Sequence, residues 1–230
     1  MSSVAIQTHR KSRAGSGGEL LHRDLVWALC HDVGNLLAAV RLSAHLLPTD
    51  EAETERIAAC RDIEDLAARS GALLALVRPL LAGATVARVP VSPAEVLTAL
   101  KRALEDRKIG RAVLSIASGR KLPDVRIDPD ALYHLLLTLV HGSLEAVAPG
   151  GRVRVSAKHQ GRRVILSVSD NGRPVDLGEI RRGSTPRGRE LAIRVADAVL
   201  RLMGGRASAE LQRRGTRIDL FLPAMALKRP

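Results

Sequence analysis

A chain of 230 residues with 46% hydrophobic and 26% charged residues has room for one medium core or two small ones, in the composition range of ordinary globular proteins. Its only aromatic residues are Trp27, Tyr133 and Phe221, so the cores are built from Leu, Val, Ala and Ile, and nucleic-acid binding by base stacking is excluded as an expectation. The net charge of +12 is spread along the chain without a DNA-binding motif, so an acidic protein partner is expected in preference to a nucleic acid.

Residues 1–18 mix Ser, Gly, Arg and Lys without periodicity and read as a disordered basic arm. A first helix is expected over 19–47, ended by Pro48. Its apolar residues Val26, Leu29, Val33, Leu36, Val40 and Leu47 follow a heptad series broken only by Ser43, which predicts a buried seam. With Val26 at position a, His31 and Asn35 fall at f and c, one turn apart on the opposite face, with Asp32 beside them. An imidazole presented to solvent beside a carboxylate, with an amide one turn on, is suited to taking up and releasing a phosphoryl group. The alternative is a solvated face that happens to carry a His.

Thr49-Asp50 caps a second helix whose first turn holds Glu51, Glu53 and Glu55, at the positive end of its dipole. Its stripe Cys60, Ile63, Ala67, Ser70, Leu74, Val77 and Leu81 again steps by three and four. A hairpin over 19–83 cannot bury both seams alone, so pairing of two chains into a four-helix bundle, a C2 homodimer, is expected; the alternative is packing on the rest of its own chain. Cys30 and Cys60 lack metal-type spacing and read as small core residues in a reducing compartment. No apolar run is long enough to span a membrane and no signal-peptide core precedes the helix, so a cytoplasmic protein without a membrane anchor is expected.

Residues 83–91 read as a linker with a possible short strand. Ser92-Pro93-Ala94-Glu95 has the order of a helix start, with Val96, Leu97, Leu100 and Leu104 apolar behind it. Alternation predicts a strand over 112–117, and Asp128-Pro129-Asp130 caps a largely buried helix over 131–147. Strands over 152–157 and 163–169 flank the turn His159-Gln160-Gly161; the second runs into Asp170-Asn171-Gly172. After an irregular basic loop over 173–189 come a helix over 190–203 stopped by Gly204-Gly205, a strand over 207–211, the turn Arg213-Arg214-Gly215 and a last strand over 218–222. The fold class is therefore α+β: an N-terminal helical hairpin, then helices over a mixed sheet across 92–223, and a tail over 224–230.

This order of elements resembles the bacterial two-component histidine kinases over most of residues 20–223. His31-Asp32-Val33-Gly34-Asn35-Leu36-Leu37 is similar to the subgroup motif His-Asp-x-x-Asn-Leu-Leu. The resemblance implies His31 as the phosphorylated residue, Asp32 as its acid/base neighbour and Asn35 as the residue that positions a hydrolytic water. Residues 92–223 resemble the family's ATP-binding domain, an α/β sandwich shared with gyrase-type and Hsp90-type ATPases. Glu145-Ala146 matches the end of the family pattern Asn-Leu-x-x-Asn-Ala-x-Glu-Ala, which puts Thr138 and Gly142 at the two Asn positions; the second is the family's Mg²⁺ ligand, and glycine has no ligand atom.

Asp170-Asn171-Gly172 matches the start of Asp-x-Gly-x-Gly, whose Asp binds the adenine amino group, but Pro174 replaces the final Gly. The next box, Gly-x-Gly-Leu-Gly-Leu-Ala-Ile, reads Pro186-Arg187-Gly188-Arg189-Glu190-Leu191-Ala192-Ile193 and keeps only Gly188 of its glycines. Pro186 removes a backbone donor and Glu190 puts a carboxylate where a triphosphate would sit, while Arg181, Arg182, Arg187 and Arg189 offer another means of attracting an anion. The remnant ATP site is thus Asp170, Gly172, Gly188 and Thr216, with no metal site in the chain.

Phosphoryl transfer from ATP rests on positioning and charge neutralisation of the phosphates, so ATP binding is expected to be weak or lost, and autokinase activity with it. An intact phosphoacceptor helix on a degenerate ATPase-like domain resembles the dimeric histidine phosphotransferases. That implies a relay in which His31 exchanges a phosphoryl group with the Asp of response-regulator receiver domains, which supply Mg²⁺. The alternatives are a soluble ATP-dependent histidine kinase with an atypical ATP site and a non-catalytic scaffold that binds regulators; receiver phosphatase activity is compatible with transfer.

Overall fold

The structure is a computed structural model that describes residues 16–45, 53–82, 86–105, 112–119, 122–182 and 188–225. Two 30-residue helices, α1 (Ser16–His45) and α2 (Glu53–Ala82), lie against one another as the expected hairpin. Glu53 and Glu55 occupy the first turn of α2, where carboxylates complement the exposed N–H groups. The cap Thr49-Asp50 and residues 1–15 of the arm lie outside the described residues, whereas 16–18, assigned to the arm from the sequence, are the first residues of α1.

The buried seam is rotated from the expected one. On α1 the buried residues are Leu25 and Ala28 together with Leu29 and Val33 of the expected seam, while Val26, Leu36 and Val40 are only partly covered and Leu47 lies outside the described residues. On α2 they include Ser70, Ala72, Leu76 and Leu80, while Cys60, Ala67, Leu74 and Leu81 of the expected stripe are exposed. A heptad assumes one helical partner, but here α1 packs on α2 and α6, and α2 on α4 and α6, so the covered arc turns towards the second half of the chain. Packing on its own chain, the alternative to a bundle formed only with a second copy, is therefore present. Trp27, Leu37 and Leu42 of α1 and Leu74 and Leu81 of α2 stay exposed. Cys30 and Cys60 are exposed, not core residues. One further expectation is corrected: Arg23–His45 is long and apolar enough to cross a membrane by length and composition. Counting uninterrupted apolar runs missed it, because a spanning window tolerates a few polar residues.

The second half is held by a core of aliphatic side chains between helices and one sheet face. Its elements are β1 (Val89–Val91), α3 (Pro93–Glu105), β2 (Val113–Ser118), β3 (Val125–Ile127), α4 (Pro129–Ala146), β4 (Arg152–Gln160), β5 (Arg163–Asp170), α5 (Leu177–Arg182), α6 (Gly188–Leu202), β6 (Arg206–Leu211) and β7 (Thr216–Pro223). The main sheet has the order β2-β4-β5-β7-β6, with β2 parallel to β4 and every other pair antiparallel. Along β4 burial alternates, so that Val153, Val155 and Ala157 point to the helices and Arg152 and Arg154 away. β1 and β3 form a separate antiparallel pair.

Asp128 starts α4: its Oδ1 accepts the Ala131 N–H at 3.1 Å, and Pro129 fills a first-turn position that needs no donor. Leu132, Leu135, Leu136, Leu139 and Val140 are fully or almost fully buried, as the continuous apolar run predicts. Gly172 and Gly215 are fixed by close approach. A Cβ on Gly172 would strike the backbone of Ala146 at the end of α4, and one on Gly215, where φ is +83°, would strike the carbonyl of Asp170.

Candidate functional site

His31, Asp32 and Asn35 come together on α1 as their spacing requires. Asn35 Nδ2 is 3.3 Å from His31 Nδ1, and Asp32 Oδ1 is 3.5 Å from the same nitrogen. Trp27, one turn earlier, stacks on the imidazole with ring centroids 5.8 Å apart. With both contacts at Nδ1, the far nitrogen, Nε2, is the atom left to approach a partner. The site is less open than a face opposite the seam implied: the His31 side chain is 35% exposed and that of Asp32 only 15%.

The cover over Asp32 comes from the second half of the chain. The N–H of Gly188, the first residue of α6, donates to Asp32 Oδ2 at 3.0 Å. Further along the same junction Arg69 of α2 pairs with Glu145 of α4, and Arg78 of α2 donates to Asp128 Oδ2 at 2.8 Å. Between the hairpin and the helices α4 and α6 lies a cleft of about 300 Å³. Asp32, Asn35, Arg69, Thr138, Gly142 and Gly188 are among its lining residues. Gly188 thus lies beside the cluster of His31, Asp32 and Asn35.

Asp170, Gly172 and Thr216 gather at the end of β5 and the start of β7. The Asp170 side chain is 0% exposed; its Oδ1 accepts the Gly172 N–H at 2.9 Å and its Oδ2 pairs with Arg189 Nη2. Arg189 is itself 8% exposed, and its Nη1 donates to the Arg173 carbonyl at 2.9 Å. Burial lowers the pKa of the Arg189 guanidinium from its ordinary value, while the Asp170 carboxylate opposes that shift. The aliphatic stem of Arg189 lies against Gly142: a Cβ there would meet its Cγ at 3.4 Å. Thr216 is fully buried, and its Oγ1 accepts the Val175 N–H at 3.1 Å.

These contacts change what the remnant boxes offer. Arg189 turns inward and neutralises a carboxylate, so it is not an anion-attracting loop residue; the side chains of Arg181 and Arg182, and Arg187, lie outside the described residues. Glu190 Oε1 accepts the Asp176 N–H at 3.1 Å. The residues present do not fit a Mg-nucleotide at this place. Gly142 has no ligand atom, both Asp170 oxygens are engaged within the chain, and a guanidinium occupies the ground before the carboxylate. The role of Arg189 escaped the sequence, where it reads as one of four arginines of an irregular basic loop that attract an anion.

Residues 127–226 match the family described as "Histidine kinase-, DNA gyrase B-, and HSP90-like ATPase". The chain is 28% identical over 126 residues to the sensor histidine kinase ZraS of Escherichia coli O157:H7, an alignment covering 52% of this chain and 28% of that relative's length. Among solved structures, the Acinetobacter baumannii histidine kinase AdeS superposes with a TM-score of 0.58 at 16% identity, covering 86% of this chain and 98% of that one. The histidine kinase ThkA, solved in complex with the response regulator protein TrrA, superposes with a TM-score of 0.56 at 16% identity, covering 87% of this chain and 61% of that one. At these identities the superpositions establish the fold: a helical N-terminal part followed by an α/β ATPase-like domain of histidine kinase type.

Proposed function

For a chain that carries a histidine kinase-like ATPase domain and has sensor histidine kinase homologues, we propose a phosphorelay role in which His31 exchanges a phosphoryl group with the Asp of response-regulator receiver domains, working as a homodimer and without ATP as donor. The observation that carries this reading is the contrast between two places in the fold. At His31 a neighbouring carboxylate and an amide both lie within 3.5 Å of the imidazole Nδ1. At Asp170 a buried arginine stands where a nucleotide base would have to pair.

In the transfer step His31 Nε2 attacks the phosphorus of a receiver aspartyl phosphate. The P–N bond forms as the acyl P–O bond breaks, and the receiver carboxylate departs with the electron pair. The imidazolium so formed keeps its proton on Nδ1, where the Asp32 carboxylate offsets the positive charge. Reversal of these steps hands the group to a second receiver. Asn35, free to turn outward from an exposed position, orients a water when a receiver phosphate is hydrolysed instead. The net charge of +12 favours encounter with the acidic pocket of a receiver, and the exposed apolar side chains of the hairpin, Trp27, Leu37 and Leu74, are ones a second copy would cover.

The sensor histidine kinase reading is favoured by the ZraS relationship and by an ATPase-like framework whose core is complete. Titration with Mg-ATP, followed by incubation with γ-labelled ATP, separates the two. The relay reading expects no saturable binding in the micromolar range and no label on the chain. ATP-dependent labelling that His31→Ala removes would establish the kinase reading instead.

A further inference from the structure

His31 Nδ1 faces two groups that make opposite demands. Asp32 Oδ1, at 3.5 Å, can only accept, so it calls for a proton on Nδ1; Asn35 Nδ2, at 3.3 Å, can only donate, so it calls for a bare Nδ1. In a neutral ring the first choice leaves the lone pair on Nε2, and the second puts the proton there. Only the first tautomer can attack phosphorus through Nε2. The competition between Asp32 and Asn35 therefore decides whether His31 is a nucleophile.

The bias comes from outside α1. The Gly188 N–H holds Asp32 Oδ2 at 3.0 Å, at the N-terminus of the 15-residue helix α6, where the helix dipole favours a carboxylate. With Oδ2 pinned, Oδ1 is the oxygen left towards the ring. Gly188 sits at φ +55°, a conformation glycine adopts without strain, with nothing within 4 Å of a would-be Cβ. The Arg69–Glu145 pair closes the same cleft from α2 and α4, so the docking of the ATPase-like domain and the hold on Asp32 belong to one junction.

We propose that the N-terminus of α6 is a positioning element for His31: through Asp32 it keeps the ring proton on Nδ1 and the lone pair on Nε2, so that docking of the ATPase-like domain on the hairpin makes His31 competent for phosphoryl transfer. This rests on the relay reading for its consequence, though the tautomer itself is measurable without any phosphoryl donor. It gives the surviving glycine of a degenerate phosphate-binding box a new task.

The test uses the full chain, with ¹⁵N imidazole shifts of His31 and its rate of modification by phosphoramidate, whose bond to ammonia breaks as the P–Nε2 bond forms. Glu145→Arg sets two cations against each other across the junction and leaves His31, Asp32 and Asn35 unaltered. It is expected to move His31 towards the Nε2–H form and to slow phosphoramidate uptake by about fivefold or more, the scale of a typical coupling between sites. The charge swap Arg69→Glu with Glu145→Arg is expected to restore both. An Nε2–H ring in the unaltered protein, unchanged shifts in Glu145→Arg, or failure of the swap to restore them would each overturn the proposal. Nδ1–H shifts that respond as expected in a chain that takes up no phosphoryl group would leave the positioning intact and remove the relay reading.

Discussion

His31→Ala is expected to abolish acceptance of a phosphoryl group from a charged receiver, a fall of at least about 10³-fold, because removing a covalent nucleophile leaves only background chemistry. Alanine keeps the helix and gives up only a part-buried ring stacked on Trp27, so thermal stability stays within about 1 kcal/mol of the parent. The measurement is the label carried by the chain after mixing with receiver that has been charged by acetyl phosphate. In the same assay Asn35→Ala keeps the label on His31 but slows release of inorganic phosphate from the receiver. Undiminished labelling of His31→Ala would move the acceptor elsewhere.

Arg189→Ala is expected to be strongly destabilising to the ATPase-like domain. It strands the Asp170 carboxylate, whose side chain is 0% exposed, and breaking a buried pair on one side costs about 3–5 kcal/mol. For a chain of this length that corresponds to a melting point lower by roughly 6–20 °C. Arg189→Lys keeps the charge but loses the fork that reaches both Asp170 and the Arg173 carbonyl, and falls between. Arg189→Met combined with Asp170→Leu removes both charges and recovers most of the loss, since the penalty lies in the unpaired ion. None of the three restores tight Mg-ATP binding, because Gly142 still offers no ligand atom. A melting point for Arg189→Ala within about 2 °C of the parent would show that Asp170 finds another partner.

Most of the fold was legible because its signals are local. Asp128-Pro129 announces α4, Gly204-Gly205 ends α6, and alternation marks β4 and β7. Three elements or features were not. β3, Val125–Ile127, is too short to show a period, and α5, Leu177–Arg182, is a six-residue helix inside a basic loop. The register of the α1 seam was read for a single partner, whereas α1 shares its apolar arc between α2 and α6, which buries Leu25 and Ala28 and leaves Cys30 exposed. At the site, the cluster of His31, Asp32 and Asn35 follows from helical spacing alone. The contact from Gly188 to Asp32 and the pair of Arg189 with Asp170 join residues far apart in sequence, and neither residue type announces such a partner.

In the proposed relay, His31 is supplied by another protein's aspartyl phosphate and not by ATP. The direct measurement is a two-armed labelling time course on the intact chain, one arm with ³²P-labelled receiver and the other with γ-³²P-ATP and Mg²⁺. The label on the chain is identified by its acid lability and base stability and by its loss in His31→Ala. The expected result is label from the receiver arm, transferable to a second unlabelled receiver, and none from the ATP arm. Label on His31 from ATP, or label that never passes through the chain in the receiver arm, would contradict it.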